Sequence, residues 1–490
     1  MIQTLIPAPA MADARSPGRL GVFSNTTLTA RSILLFLAAL LCTIPGFFGL
    51  HWLALMLVWD ALVLLLVLFD LSSLPPPHAL RITRAFIDSP VLGRETRIEL
   101  AVEHATSSVL QVHLADDLHP ALAQLPPSGS LTVFPRDPAR LLFTVTPNRR
   151  GDFPLGAVWL RWPGRMRLVE RRALAQPEQK IRVYPAMDRS DDDTALYLLR
   201  IRQIELQRRR LRLTGTGREF DHLRDYRAGD EMRNISWPAT ARRAKVVTRE
   251  FTTERSQQVW IVLDAGRLSG TVFELRRNAS ATSRSSPAPT FRDAASDESF
   301  LLSLTQLDQA CGAGLALAQT VMQAGDKAGL MVYGRAIQQQ LLPAAGAPAL
   351  RMMIDSLSMA RVEGSEADHL RAAARLGQLQ RRRSLVLWIT EMADSARRPD
   401  VADAAVDLAR RHLVLLVVLN HPEIRATAAR EPRTAVQMFE SAAAQEVIER
   451  RHEILAGLRS KGVLVVETTP GALRTDAINE YLEVKARGLL

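Results

Sequence analysis

Five acids, Glu219, Asp221, Asp225, Asp230 and Glu231, crowd into one stretch, GREFDHLRDYRAGDEMRNISWPATARR, running from Gly217 to Arg243. Carboxylates at that density could hold divalent metal ions for a nuclease or hydrolase. The same stretch supplies Arg218, Arg224, Arg227, Arg233, Arg242 and Arg243, which can neutralise those acids pairwise. His222 stands alone, without a His-x-x-x-His pair. Two other readings compete with the metal site. In one the stretch is a fixed joint, with Tyr226 and Trp237 buried and acid–arginine pairs setting its geometry. In the other it is a partner surface, for which Arg, Tyr and Trp are the usual anchors. A second candidate is Asp264, which closes the apolar run QVWIVLD. An acid at the carboxyl end of a parallel strand stands where open α/β sheets bind ligands.

Other motifs fall short of the chemistry they suggest. Gly215-Thr216-Gly217 lacks the Gly-Lys-Ser/Thr of a phosphate loop, and His452-Glu453 lacks the second histidine of a zinc protease. Ser256, Ser269 and Ser303 sit in no Gly-x-Ser-x-Gly elbow.

The elements that must position these residues follow from length and pattern. At 490 residues the chain exceeds one ordinary core and is expected to form two or three domains. Lys+Arg 62 against Asp+Glu 51 leaves +11, a balance that suits an anionic membrane surface, an acidic partner or nucleic acid. Two cysteines, Cys42 and Cys311, exclude a disulfide framework and cysteine-based zinc sites.

The N-terminal apolar runs address localisation. SILLFLAALLCTIPGFFGL (Ser32 to Leu50) and WLALMLVWDALVLLLVLF (Trp52 to Phe69) are separated by little more than a turn containing Pro45, Gly46 and Gly49. They predict a two-helix transmembrane hairpin over 31–71 after a cytoplasmic tail over 1–30. Arg15, Arg19, Arg31, Arg81 and Arg84 flank the hairpin, whereas its turn carries only His51. That bias predicts a multi-pass inner-membrane protein with both termini in the cytoplasm. Asp60 lies inside the second run, and LSSLPPPHAL reads as a stiff spacer leading away from the bilayer.

Beyond it, period-two segments such as RITRAFI, ETRIELAVEH, VLQVHLAD and ARLLFTVTP predict an antiparallel β-sandwich over 79–186. Residues 187–216 read as a charged linker helix. Its Arg208–Arg210 run is taken as a solvated helix end, and no nucleic-acid partner is expected. The stretch over 217–257 follows. Over 258–490, the near-continuous apolar runs QVWIVLD, AGLMVYG, SLVLWIT, HLVLLVVL and GVLVVET alternate with helical windows. They predict a Rossmann-like α/β domain with a mostly parallel sheet. AIQQQLLP is its antiparallel edge strand, and 278–299 is a low-complexity insertion.

This α/β portion resembles the von Willebrand factor type A domain, whose metal site reads Asp-x-Ser-x-Ser after the first strand. Asp264 matches the first acid, while Gly266 and Leu268 stand where the serines would be. Ser365 takes the place of the family's later threonine and Glu391 that of its last aspartate. Mg²⁺ is the ion such a site would take, but half of the direct hydroxyl ligation is missing, so no cofactor is expected. Arg267 is expected either to replace part of the metal's charge by pairing with Asp264, Glu391 or Asp394, or to form a salt bridge that only closes the sheet end.

The opening stretch resembles the bacterial membrane proteins of the domain of unknown function 58 family. The residues that carry the resemblance are Gly217, Glu219, Phe220, Leu223, Arg224, Tyr226, Gly229, Asp230, Arg233, Ile235, Trp237 and Arg242. The resemblance implies a membrane-anchored adaptor that works with a MoxR-type AAA+ ATPase and is not itself an enzyme. A metal-dependent hydrolase or nuclease using the acids of 219–231, and a structural envelope protein, remain open beside it.

Overall fold

The computed structural model describes residues 10–13, 26–41, 52–106, 108–123, 125–186, 219–227, 230–252, 257–277, 300–392 and 399–489. Cys42, the turn at 42–51, the charged linker, Gly217, Gly229, the 278–299 insertion and Asp394 lie outside the described residues. The chain divides into two compact units, one built mainly from residues up to Tyr184 and the other mainly from residues beyond it.

The first unit begins with strands β1 (Ala10–Asp13) and β2 (Thr26–Leu28), inside what reads as a tail. Two helices follow. Helix α1 covers Ala30–Ala38, and its apolar helical stretch ends at Leu41, about 18 Å of rise against a hydrocarbon core of about 30 Å. Helix α2, Trp52–Ser73, is long and apolar enough to cross a membrane, at about 33 Å. Two full-length spans are therefore not found among the described residues: one helix meets the length, and the other falls short.

Nine strands come next: β3 (Leu80–Phe86), β4 (Thr96–His104), β5 (Leu110–Asp116), β6 (Ser128–Val133), β7 (Ala139–Val145), β8 (Gly151–Pro154), β9 (Val158–Pro163), β10 (Val169–Ala175) and β11 (Lys180–Val183). They form antiparallel sheets in the orders β1-β3-β4-β7 and β2-β10-β9-β5-β6, with β8 and β11 as a separate pair. Alternate residues of β3, β4 and β5 are buried, as one-sided sheets require. Leu80, Leu100, Leu114, Leu160 and Trp162 share one core with Val63 and Val67 of α2. The strand β10 is not evident from VERRALA because charges occupy its middle; its alternating Val169, Arg171, Ala173 and Ala175 are nevertheless the buried set.

That core corrects the spacer reading of LSSLPPPHAL. Leu74 is buried, and the carbonyls of Leu74 and Pro75 accept hydrogen bonds from the Arg171 guanidinium at 3.2 and 3.0 Å. Burial pulls the Arg171 pKa down. Asp70, fully buried in the last turns of α2, accepts backbone N–H groups from Met166, Leu168 and Val169 at 2.7, 2.8 and 3.1 Å. The helix is bolted to the β domain, not hung from a linker. Arg84 is likewise no surface charge: it is fully buried and paired with Asp116. Burial raises the Asp116 pKa, against the pull of Arg84.

In the second unit, β12 (Glu219–Asp225) pairs with β13 (Val247–Thr252) as an antiparallel ribbon, and the short helix α3 (Trp237–Arg243) lies between them in sequence. A six-stranded mixed sheet has the order β18-β17-β14-β19-β20-β21. Strands β14 (Gln258–Asp264), β17 (Lys327–Tyr333), β19 (Leu385–Thr390), β20 (Leu413–Leu419) and β21 (Leu464–Thr468) are parallel, and β18 (Ile337–Ala344) is the antiparallel edge. The remaining pair is β15 (Val272–Arg277) with β16 (Phe300–Thr305). Packed helices are α4 (Gln306–Gln323), α5 (Ala347–Met359), α6 (His369–Leu379), α7 (Asp400–Ala409), α8 (Pro422–Ala429), α9 (Ala435–Ser460) and α10 (Leu473–Ala486). The central strands are buried throughout, as helices on both faces demand. Helix α4 starts on a capping box, Thr305 with Asp308, which fixes its first turn.

Candidate functional site

The carboxyl ends of β14, β17, β19 and β20 converge on a buried polar cluster. Asp264 ends β14 and faces Tyr333, the last residue of β17, in register. One Asp264 oxygen accepts the N–H of Gly266 at 2.8 Å, and the other accepts the Thr390 hydroxyl at 2.7 Å. Burial raises the Asp264 pKa, opposed chiefly by the charge of His369. Glu391, one residue past β19, pairs through Oε1 with His421 Nε2, while its buried Oε2 has no hydrogen-bond partner among the described residues. Phe273 stacks on the His421 ring at 6.0 Å between centroids.

A second chain of contacts runs alongside. The Trp388 indole N–H donates to the Tyr333 hydroxyl at 2.7 Å, and that hydroxyl lies 2.8 Å from His369 Nδ1. An indole nitrogen only donates, so the hydroxyl accepts from Trp388, and the direction of its bond to Nδ1 follows the His369 tautomer. Burial lowers the His369 pKa and raises that of Tyr333 well above the usual phenol value. The arrangement therefore keeps Tyr333 a neutral phenol near pH 7, while burial works against charging His369 and Asp264 works for it.

Two expectations change here, and the glycine at 266 gains a reason. Among the described residues Arg267 pairs with the exposed Glu366 at 3.3 Å and with neither Asp264 nor Glu391; the third expected partner, Asp394, lies outside them. Its long side chain gains more from water and a solvated partner than from entry into a buried cluster. Ser365 contributes its backbone carbonyl, which accepts the Arg267 N–H at 2.8 Å, instead of a hydroxyl ligand. Gly266 has a steric reason to be glycine: a Cβ there would lie 2.8 Å from the Ala367 backbone nitrogen. The loop after α5 occupies the space that a serine hydroxyl needs in the type A pattern.

These residues do not fit an octahedral Mg²⁺. Gly266 and Leu268 offer no side-chain oxygen, Thr390 is turned to Asp264, and one Glu391 oxygen is taken by His421. Among the described residues no group of three His, Cys, Asp or Glu side chains is placed to hold a metal. Thr390, His421, Tyr333 and His369 are the members that sequence reasoning missed. Three of them carried a usable signal, since each ends or closely follows an apolar strand at the ligand-binding edge.

The acid–arginine stretch is also resolved in part. Asp230 accepts both terminal nitrogens of Arg224 at 2.8 Å and the backbone N–H of Arg227 at 2.9 Å. The Arg224 bond, then that N–H, hold the Asp230 pKa below the usual carboxylate range. Glu231 pairs with Arg233 at 2.6 Å. Ile235 is buried, and Ser236 N–H bonds the Val247 carbonyl at 2.8 Å, seating α3 on the ribbon. Leu223 is half-buried, and Arg242 is exposed. Glu219 and Phe220 pair with Thr252 and Phe251 on β13. Tyr226 and Trp237 are not buried: they are 37% and 65% exposed. The fixed-joint expectation fails on those two aromatics.

Residues 222–278 and 292–446 match the profile of a family described as "Protein of unknown function DUF58". The C-terminal region of this chain belongs to the DUF58 family. The two DUF58 segments break within the low-complexity run between 278 and 292. No curated protein matches the chain. A crystal structure of the conserved hypothetical protein BatB from Bacteroides thetaiotaomicron is similar at 15% identity, covering 47% of this chain and 100% of that one. Its TM-score is 0.28.

Proposed function

We propose that this chain is a membrane-anchored protein-interaction adaptor on the cytoplasmic side of the bacterial inner membrane. It works with a MoxR-type AAA+ ATPase and breaks no bonds of its own. The observation that carries the reading is the fate of Asp230 and Glu231 in the DUF58 stretch. Asp230 and Glu231 are taken up by Arg224, Arg227 and Arg233, whereas Trp237 and Met232 stand exposed. Acids neutralised in this way are poor metal ligands, and exposed aromatics beside arginines suit a partner.

The anchor is a two-helix hairpin. Its support is topological: β2 pairs with β10 immediately before α1, and β3 joins the same domain soon after α2. A chain that leaves a domain and returns to it crosses a bilayer an even number of times or not at all. Arg15, Arg19, Arg31 and Arg81 favour the cytoplasm for that domain. The two sheets with a common core support the sandwich reading. The Asp264 cluster at the carboxyl ends of parallel strands supports a type A-like domain whose metal has been lost.

The test is capture from solubilised membranes with the full chain as bait. An AAA+ ATPase retained in stoichiometric amount is expected. The hydrolase alternative would take its place if purified protein turned over a substrate, lost that activity in Asp230→Ala, and kept it in Arg224→Ala with Arg233→Ala.

A further inference from the structure

The face carrying Trp237, Met232 and Tyr226 is, we propose, a docking surface for an acidic segment of a partner protein. This rests on the adaptor reading and adds the chemistry of the partner. Helix α3 and the loop before it hold Ile235, Val247 and Thr248 inward, so the neighbouring side chains must point out. Met232 is 74% exposed, Trp237 65% and Val246 43%. A large apolar side chain in water forgoes the stabilisation that burial would return. Several together on one short segment mark a surface built to be covered.

Charge specifies the cover. Between residues 222 and 249 there are seven arginines and lysines against three acids. Asp230 is consumed by Arg224 and Arg227, and Glu231 by Arg233. Arg242, Arg243 and Lys245 are exposed and have no side-chain hydrogen bond or ion pair among the described residues. The exposed segment therefore carries cationic donors as well as exposed apolar side chains, the complement of a segment that combines carboxylates with an apolar residue. Arginine forks favour carboxylates bidentately, and the exposed Trp237 can pack an apolar side chain of the same partner segment. An anionic lipid surface fits less well: Asp225, exposed on this segment, would be repelled by a uniform sheet of negative charge. A patterned protein segment can avoid it.

The test places a photo-crosslinking amino acid at Met232 in the full-length chain in cells, with a second at Phe439, an exposed residue of α9. The attachment site on whatever is captured is sequenced by mass spectrometry. The expected adduct at position 232 is a partner-protein segment rich in Asp and Glu. Its yield should fall at least about tenfold in Trp237→Ala and in Arg242→Glu with Arg243→Glu, and should decline as salt is raised. Because α3 is exposed at those arginines, the charge-reversed protein should keep its thermal midpoint, so it decides the matter even if Trp237→Ala unfolds. Lipid, a second copy of this chain, a segment without acids, yield indifferent to charge reversal, or no adduct would each overturn the proposal. Protein captured at 439 but not at 232 sinks this inference and leaves the adaptor reading standing; nothing captured at either position sinks both.

Discussion

At the scale of single residues, the sheet-end cluster shows how burial redirects acid chemistry. Asp264 is surrounded by β14, β17 and β19, so its charge is expensive despite two hydrogen bonds. Its pKa is raised above 3.8, chiefly by burial. A carboxyl that binds its proton more tightly when folded contributes its full stability below the unfolded pKa. That contribution is lost as pH rises through the folded value. Asp264→Asn should therefore be more stable than the parent at neutral pH and flatten the fall in stability above about pH 4. Its carbonyl can accept the Gly266 N–H, and the Thr390 hydroxyl can turn to the Glu391 carbonyl, 3.2 Å away. Urea midpoints measured across pH 3–8 check this. A variant with the parent's slope, or one weaker at pH 7, would show that Asp264 stays ionised at no cost. Asp230 has the opposite sign. Its lowered pKa stabilises above the unfolded value and ceases to do so in acid.

At the scale of elements, helix α2 serves two surroundings. Leu53, Leu57, Leu64, Leu65 and Phe69 are exposed, while Val63, Val67 and Asp70, spaced at four and three, enter the β-domain core. Asp70 settles which face turns inward, because its carboxylate satisfies three backbone donors that the β9–β10 connection cannot bond elsewhere. Gly164 makes room for it: a Cβ there would lie 2.5 Å from the carboxyl group. Asp70→Ala leaves those donors buried and unsatisfied and should destabilise the first unit by about 3 kcal/mol. Thermal unfolding of the detergent-purified full chain would read this as a clear drop in the first transition, with Asp70→Asn intermediate. An unchanged transition would mean that water replaces the carboxylate and that the helix is only loosely attached.

At the scale of the whole molecule, the return of the chain to one β domain on both sides of α1 and α2 predicts a single location for both ends. Reporter fusions at the N- and C-termini should both report cytoplasm; opposite answers would leave α2 as a lone crossing. Much of this layout was legible in the residues. Runs such as QVWIVLD, SLVLWIT and HLVLLVVL named parallel strands because only strands covered on both faces need unbroken apolar character. AIQQQLLP named the edge strand, and the Arg224–Asp230 pair lay within reach along the chain. Composition and local spacing therefore showed most element types and their order, though not β1, β2 or β10, and the resemblance carried by Arg224, Tyr226 and Trp237 marked the DUF58 stretch. They did not determine which side chains face water or one another. Trp237 looks like core by type and is exposed, Arg84 looks like surface and is buried, and Arg267 turns to Glu366. His369, Tyr333, Thr390 and His421 come from separate elements and meet only because parallel strands end together. Burial and long-range pairing depend on what every other element covers, and that is decided only when the chain has packed.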